Sequence, residues 1–121
     1  MRMNTNTMLN KGPMDVERWT EGFMVGAKRW KGVEQQRLGL GDVFRSNGKA
    51  FCEMSYTMRE IRMRVKLPKT HQQRAIAMNM AKGIRDPHES QMGWVELTID
   101  SDAALQNALT LARQAYLETQ R

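Results

Sequence analysis

Apolar and charged residues alternate without interruption in the segment that ends at Pro68. The apolar positions are Ile61, Met63, Val65 and Leu67, and the cations between them are Arg62, Arg64 and Lys66. Because successive side chains of a β-strand point to opposite faces, this alternation predicts a strand with one buried face and one cationic face. Residues 50–56 also alternate, with Phe51 on the face opposite to Cys52, and the mostly polar residues 57–60 have the length of a hairpin loop. The pattern therefore predicts two antiparallel strands that share a buried face.

Three other segments carry apolar residues at three- and four-residue steps, which predicts amphipathic helices. They cover residues 15–32, residues 70–83 and a final segment that begins at residue 100 or 101. Gly22 and Gly26 lie one turn apart in the first of these helices. Because glycine weakens a helix, this spacing indicates close packing against a neighbouring element.

Shorter patterns fill the remaining positions. Residues 42–45 and 93–100 are predicted strands, residues 33–40 are either an edge strand or a connection, and residues 85–90 are a predicted loop. Asn47 is followed by glycine, a pair that is preferred in tight hairpin turns.

The predicted elements follow the order α-β-β-β-α-β-α. Strands joined by hairpins, with amphipathic helices around them, are typical of an α+β domain in which an antiparallel sheet has helices packed on one face. Residues 1–14 are expected to form a flexible leader and residues 15–121 a single domain. The face of the sheet that stays uncovered is expected to bear Arg62, Arg64 and Lys66.

Positive charge is concentrated in the middle of the chain. The 121 residues carry a formal net charge of +6. Between Arg37 and Arg85, eleven basic residues stand against three acidic ones, a local balance of +8. This distribution favours a face for an anionic partner, although an arginine-rich solvated surface would look the same in sequence.

The expected cellular compartment follows from the single cysteine and from the lack of a long apolar run. Cys52 has no partner for an intrachain disulfide, so a reducing cytoplasm is the expected location. No stretch reaches the roughly 20 apolar residues of a membrane span, so no membrane association is expected.

Three segments of the chain resemble a known domain. They are the short strand NGKAFCEM, the basic strand that ends in Leu67-Pro68, and GWVELTIDSDAALQNALTLARQAY. Together they resemble a small uncharacterised domain of bacteria and phages, which occurs alone or at the C-terminus of predicted restriction-type nucleases. That domain is similar in turn to the MmcQ/YjbR group, which has a CyaY-like fold and is described as DNA-binding through a double-wing motif. The resemblance covers roughly residues 41–118, implies nucleic acid as the partner with DNA favoured over RNA, and brings no catalytic residues.

The cationic strand face predicts nucleic-acid binding. Cations at alternate strand positions lie about 6.6–6.8 Å apart, near the spacing of successive phosphates. Tyr56 and Trp94 are candidate stacking surfaces, and readout would be led by the phosphate backbone. Further cations that extend this field are Lys49, Arg59, Lys69, Arg74 and Arg85.

The aromatic residues of the first helix allow a second hypothesis. Trp19, Phe23 and Trp30 share one face, which either covers the sheet or lies exposed as a surface for a protein partner or a second copy. A protein-interaction module, such as a regulator that docks on a nuclease or on another acidic surface, is therefore the alternative function.

No pattern indicates catalysis, and the chain is not expected to be an enzyme. Cys52 falls on an inward strand position, where cysteine is usually an inert apolar residue. His71 and His88 belong to different elements and have no second cysteine to join them, so neither a metal site nor a cofactor is expected.

Overall fold

The computed structural model describes residues 13–121, which form one six-stranded antiparallel sheet and four helices. The helices are α1 (Pro13–Ala27), α2 (Lys69–Ala77), α3 (Pro87–Gln91) and α4 (Asp102–Glu118). The strands are β1 (Glu34–Leu38), β2 (Gly41–Ser46), β3 (Lys49–Tyr56), β4 (Ile61–Lys66), β5 (Lys82–Gly83) and β6 (Trp94–Ile99), in the sheet order β1-β2-β3-β4-β6-β5. The predicted α+β class with an antiparallel sheet is confirmed.

The observed order contains elements that the sequence pattern did not separate. Residues 33–40 do contain an edge strand, β1, while β5 and α3 are additions to the predicted order. The first domain boundary also moves, because Pro13 and Met14 already belong to α1. Residues 1–12, which make up most of the predicted leader, lie outside the described residues.

The central hairpin of β3 and β4 follows the alternation closely. Strand β3 ends at Tyr56 and strand β4 begins at Ile61, so residues 57–60 are the connection, as predicted. The apolar residues of β4 are buried in the core, whereas Arg62 is exposed. The preceding turn also has the predicted chemistry, since Asn47 and Gly48 have φ values of 53° and 74°, in the left-handed region that a two-residue hairpin turn requires.

A β-bulge in β3 overturns the predicted orientation of Phe51. Phe44 is the partner of Cys52, and the next residue of β2, Arg45, is the partner of Ala50, so β3 carries one extra residue at this point. The Phe51 ring lies 5.9 Å from that of Tyr116 on α4 and is buried. Because a bulge changes the direction of the side chains around it, Phe51 joins the core instead of the outer face.

Helices α1 and α4 lie side by side on the inner face of the sheet and run in the same direction. Ideal Cβ atoms at Gly22 and Gly26 of α1 would lie 3.1 and 2.8 Å from the nearest atoms of Leu105 and Leu109 on α4. The close packing that the two glycines predicted is confirmed. Phe23 connects α1 to the sheet, because its ring packs edge-on at 5.5 Å from that of Phe44.

The ends of several elements meet at one end of the molecule. The Asn47 amide donates to the Thr119 carbonyl just beyond α4 (2.9 Å), and the Tyr116 hydroxyl donates to the Lys31 carbonyl just beyond α1 (2.6 Å). Pro68, which follows β4, lines the same cleft as Thr119. We call this the upper end; it contains the C-terminal ends of α1, β4 and α4, and the N-terminal ends of β3 and α2.

The second and third helices differ from the prediction. Helix α2 ends at Ala77 instead of near residue 83, and Asn79 follows in the left-handed region (φ 63°). Residues 85–90 are not all loop, because α3 begins at Pro87 and the Asp86 side chain accepts hydrogen bonds from the backbone N–H groups of His88 and Glu89. Proline at the first helical position behind a capping aspartate is a regular helix start, even for a helix this short. In the part of the chain that the structure describes, no helix has the length and apolar character needed to cross a membrane.

Candidate nucleic-acid interface

The three cations of β4 have different surroundings. The Arg62 guanidinium lies 3.1 Å from the Glu60 carboxylate and is mostly exposed. Lys66 is half-buried and has no acidic partner among residues 13–121. The middle cation, Arg64, is paired more strongly than either of these neighbours.

Arg64 contacts two carboxylates and one aromatic ring. Its guanidinium lies 2.6 Å from Glu89 of α3 and 3.6 Å from Glu53 of β3, and it stacks over the Trp94 ring at 5.6 Å. The hydrogen bond to Glu89 is the main cause that raises the pKa of Arg64. Charges along this row of the sheet alternate, because the successive strand partners are Glu53, Arg64, Glu96 and Lys82. The face that was expected to stay uncovered is therefore covered at its centre, where the Glu89 carboxylate of α3 meets the Arg64 guanidinium.

Neither of the predicted stacking residues presents a free ring. Trp94 is only 8% exposed and lies against Arg64. The Tyr56 hydroxyl donates to the buried Asp42 carboxylate, and the Arg37 guanidinium lies over the Tyr56 ring at 5.6 Å. Burial and the hydrogen bond to Asp42 raise the pKa of Tyr56, so the phenol stays protonated as the donor that this buried carboxylate needs.

The remaining predicted cations are exposed but lie in different places. Lys49 and Lys69 stand at the upper end, at the starts of β3 and α2. Arg59 lies in the β3–β4 turn at the opposite end, Arg74 on α2, and Arg85 between β5 and α3. Within the described range of 13–121, none of the five has an acidic side chain within 4 Å.

A cleft of about 350 Å³ at the upper end brings Lys49 together with Lys66 of β4. Lys49 and Lys66 line it, and so does Glu118, which pairs with Arg121 at 3.1 Å. We call this the strand-end cleft. Because the Glu118 charge is compensated, the two lysines give the cleft a positive potential.

The N-terminus of α2 adds to that potential. Pro68 supplies no side-chain cap to the helix, and the first turn contains Lys69 and no acidic residue. Free backbone N–H groups give a helix N-terminus a partial positive charge, which favours anions and disfavours a lysine. Lys69 therefore does not stabilise α2 by its charge, and its position next to the strand-end cleft suits an anionic ligand.

A second group of cations, absent from the sequence prediction, lies in the turn after α1. We call residues 28–31 the basic turn; its members are Lys28, Arg29, Trp30 and Lys31. The sequence pattern assigned them to the last turn of a helix, but α1 ends at Ala27 and Gly32 follows in the left-handed region (φ 81°). The signal that identifies them is the sequence KRWK, with three cations around one aromatic residue.

The aromatic stripe of α1 is largely core. Trp19 is 3% exposed and Phe23 is fully buried, so of the two alternatives these residues cover the sheet and do not form an exposed partner or dimer surface. The Trp19 indole N–H donates to Asp102 of α4 at 2.9 Å, so the polar atom of this buried ring has a partner. Trp30 is only half-buried and is the member of the stripe that reaches solvent.

The groups that could carry other chemistry are inert or scattered. Cys52 is completely buried, and burial, followed by the nearby Glu53 carboxylate, raises the pKa of its thiol well above the ordinary value. A thiol held in that form is a poor nucleophile. Among the described residues, no three His, Cys, Asp or Glu side chains are placed to hold a metal ion.

Comparison with known proteins adds no relative. No protein-family model matches the chain, and no curated protein is similar to it. The resemblance to the MmcQ/YjbR group therefore stays a prediction from the residues that carry it.

Proposed function

We propose that this protein binds nucleic acid through the cations of its upper end, in a contact led by the phosphate backbone. The observation that carries the proposal is the placement of Lys49, Lys66 and Lys69. All three stand at the upper end without an acidic partner in the described part of the chain, whereas Arg62 and Arg64 are paired with carboxylates.

The chemistry of these side chains fits phosphate. A lysine ammonium acts as a compact point charge that approaches a phosphate from many directions, so three of them favour affinity over sequence selectivity. Each phosphate that they neutralise releases counterions, which makes binding fall steeply with salt. The resemblance to the double-wing group supports DNA over RNA, and a cytoplasmic, non-enzymatic accessory role is part of the proposal.

The proposal predicts that the lysines of the upper end set the salt dependence of binding. Fluorescence anisotropy of labelled single-stranded DNA, duplex DNA and RNA would be followed from about 50 to about 200 mM salt. The triple variant Lys49→Ala, Lys66→Ala, Lys69→Ala removes up to three phosphate contacts. The slope of log affinity against log salt should then become shallower by about two to three, at about 0.7–0.9 per contact.

A charge-matched control separates the upper end from net charge. The variant Arg59→Ala, Arg74→Ala, Lys82→Ala removes the same total charge from exposed cations elsewhere. We expect it to keep most of the wild-type slope. Equal effects of the two triple variants would show that net charge alone drives binding, and no binding at the lowest salt would refute nucleic acid as the ligand.

A further inference from the structure

Trp30 is the tryptophan that solvent reaches. The chain has three tryptophans, and Trp19 and Trp94 are 3% and 8% exposed. Trp30 is half-buried and lies in the basic turn instead of in a helix or strand. Trp30 is therefore the most exposed tryptophan of the three.

The surroundings of Trp30 are strongly cationic. Lys28, Arg29 and Lys31 are its exposed neighbours in the chain, and the Arg113 guanidinium of α4 lies 5.7 Å from the ring centre. None of these four cations has an acidic partner within residues 13–121. A partly exposed tryptophan among cations without acidic partners is the combination that single-stranded nucleic acid binds.

The turn is held in place before any ligand arrives. The Trp30 amide donates to the Ala27 carbonyl at 3.1 Å, and the Tyr116 hydroxyl fixes the Lys31 carbonyl at 2.6 Å. The rings of Phe51 and Tyr116 support the indole at centroid distances of 6.4 and 5.4 Å. A ring that is already oriented loses little conformational freedom on binding, so more of the stacking energy is expressed as affinity.

We propose that Trp30 is a base-stacking position and that the preferred ligand of the upper end is a single strand. Lys28, Arg29, Lys31 and Arg113 would bind the phosphates on either side of the stacked base. A duplex offers these cations its phosphates but keeps its base faces inside the stack, so Trp30 favours the single strand. Arg113 now lies over the Trp30 ring, so its exposed guanidinium has to move outward to admit a base and then covers the far face of that base. This inference rests on the proposed function, because it names the form of nucleic acid that the same end takes.

Intrinsic fluorescence tests the inference directly. The full chain would be titrated with oligo(dT) and with a duplex of the same length, and both tryptophan emission and anisotropy would be recorded. We expect oligo(dT) to quench the emission and the duplex to leave it nearly unchanged. Trp30→Leu should lower the affinity for oligo(dT) by about tenfold or more and leave duplex affinity unchanged.

Two further variants keep the test informative. Trp30→Phe retains an aromatic ring in the same packing, so oligo(dT) binding should persist while the quench disappears. Arg113→Gln should weaken oligo(dT) binding without removing the quench. Salt-dependent binding with no quench, or equal affinity for single strand and duplex, would overturn the inference and leave the proposed function standing. Failure of every nucleic acid to bind at low salt would overturn both.

Discussion

Two neighbouring cations of β4 show how the value of a charge depends on its immediate contacts. Arg64 and Lys66 occupy equivalent positions of the same strand face, yet Arg64 lies 2.6 Å from a carboxylate of α3 and Lys66 has no such partner in residues 13–121. A phosphate that binds a paired guanidinium has to replace the carboxylate partner, so the net gain in binding free energy is small. An unpaired ammonium keeps its full attraction. Lys66 is thus a better candidate for binding than the arginine beside it.

The contacts of the single residue Asp102 predict that the stability of the fold depends on pH. Its carboxylate accepts hydrogen bonds from the Trp19 indole (2.9 Å) and the Arg18 guanidinium (2.8 Å), which lower its pKa in that order of importance. Because the folded-state pKa lies below the unfolded value of about 3.9, this contribution to stability is present above that pH and is lost as pH falls through the folded-state pKa. Asp102→Asn should therefore lower stability at neutral pH and make no difference in strong acid.

Urea unfolding at a series of pH values measures whether the free energies of unfolding of Asp102→Asn and the wild type become equal in acid. Ser101→Ala is the control, because it removes the N-cap hydrogen bond to the Ala104 amide (3.0 Å) without removing a titrating group. Its stability should run parallel to that of the wild type across the acid range. A parallel curve for Asp102→Asn as well would contradict the assignment.

The connections between elements depend on particular backbone conformations. Gly93 joins α3 to β6 with φ 103°, and its carbonyl accepts a hydrogen bond from the Leu67 amide at 2.9 Å. A Cβ atom at this position would lie 2.2 Å from the Leu67 carbonyl oxygen. Gly48 also has positive φ (74°), but a Cβ atom there would meet nothing within 4 Å. Both positions favour glycine, and only Gly93 also needs its small size.

These two glycines form a matched pair for a stability measurement. Gly48→Ala should lower the free energy of unfolding by about 1 kcal/mol, from backbone strain alone. Gly93→Ala adds a collision with backbone atoms and should cost more than about 2 kcal/mol. Chemical denaturation of both variants gives the comparison, and equal losses would show that the Leu67 backbone yields to the extra atom.

The sequence predicted those elements whose signal is local. Strand β4 and the turn at Asn47 follow from alternation and from turn chemistry, which need no knowledge of distant residues. The inward position of Phe51 and the pairing of Arg64 with Glu89 could not be read from the sequence. The first depends on Trp30 and Tyr116, and the second on Glu89, which come from other elements. The free lysines of the strand-end cleft were among the predicted cations, but only the fold shows which of those cations are compensated.

Across the described residues, the largest group of cations without acidic partners lies at the upper end. The strand-end cleft, the start of α2 and the basic turn all contribute cations there without acidic partners in the described range. The C-termini of α1 and α4 also point to this end, and their partial negative charge offsets some of the field. Cations at a helix C-terminus are stabilising, so the basic turn helps to hold α1 whether or not a ligand is bound.

The positive field that remains at the upper end predicts that anionic and cationic quenchers of tryptophan fluorescence differ in efficiency. In the free protein at low salt, iodide should quench Trp30 more strongly than caesium does, because the surrounding cations concentrate anions. The difference should shrink as the Debye length falls to about 3 Å near 1 M salt. Stern–Volmer titrations measure it, and Trp30→Phe is the control, since the buried Trp19 and Trp94 should respond little to either ion. A ratio of iodide to caesium quenching that does not change with salt would mean that the field at the basic turn is neutral.

The parallel packing of α1 and α4 also constrains how the chain folds during its synthesis. Helix α1 is near the beginning of the described residues, and the helix that its glycines contact, α4, is the last of the described elements in chain order. Until residues 102–118 have emerged, the apolar side of α1 and the inner side of the sheet lack a covering layer. A nascent chain in that state exposes hydrophobic surface, which makes it a substrate for chaperones and prone to aggregation. The described domain can therefore complete its fold only after α4 has been synthesised, and a stop codon that removes α4 would leave α1 and the inner face of the sheet without the residues that α4 adds to the core.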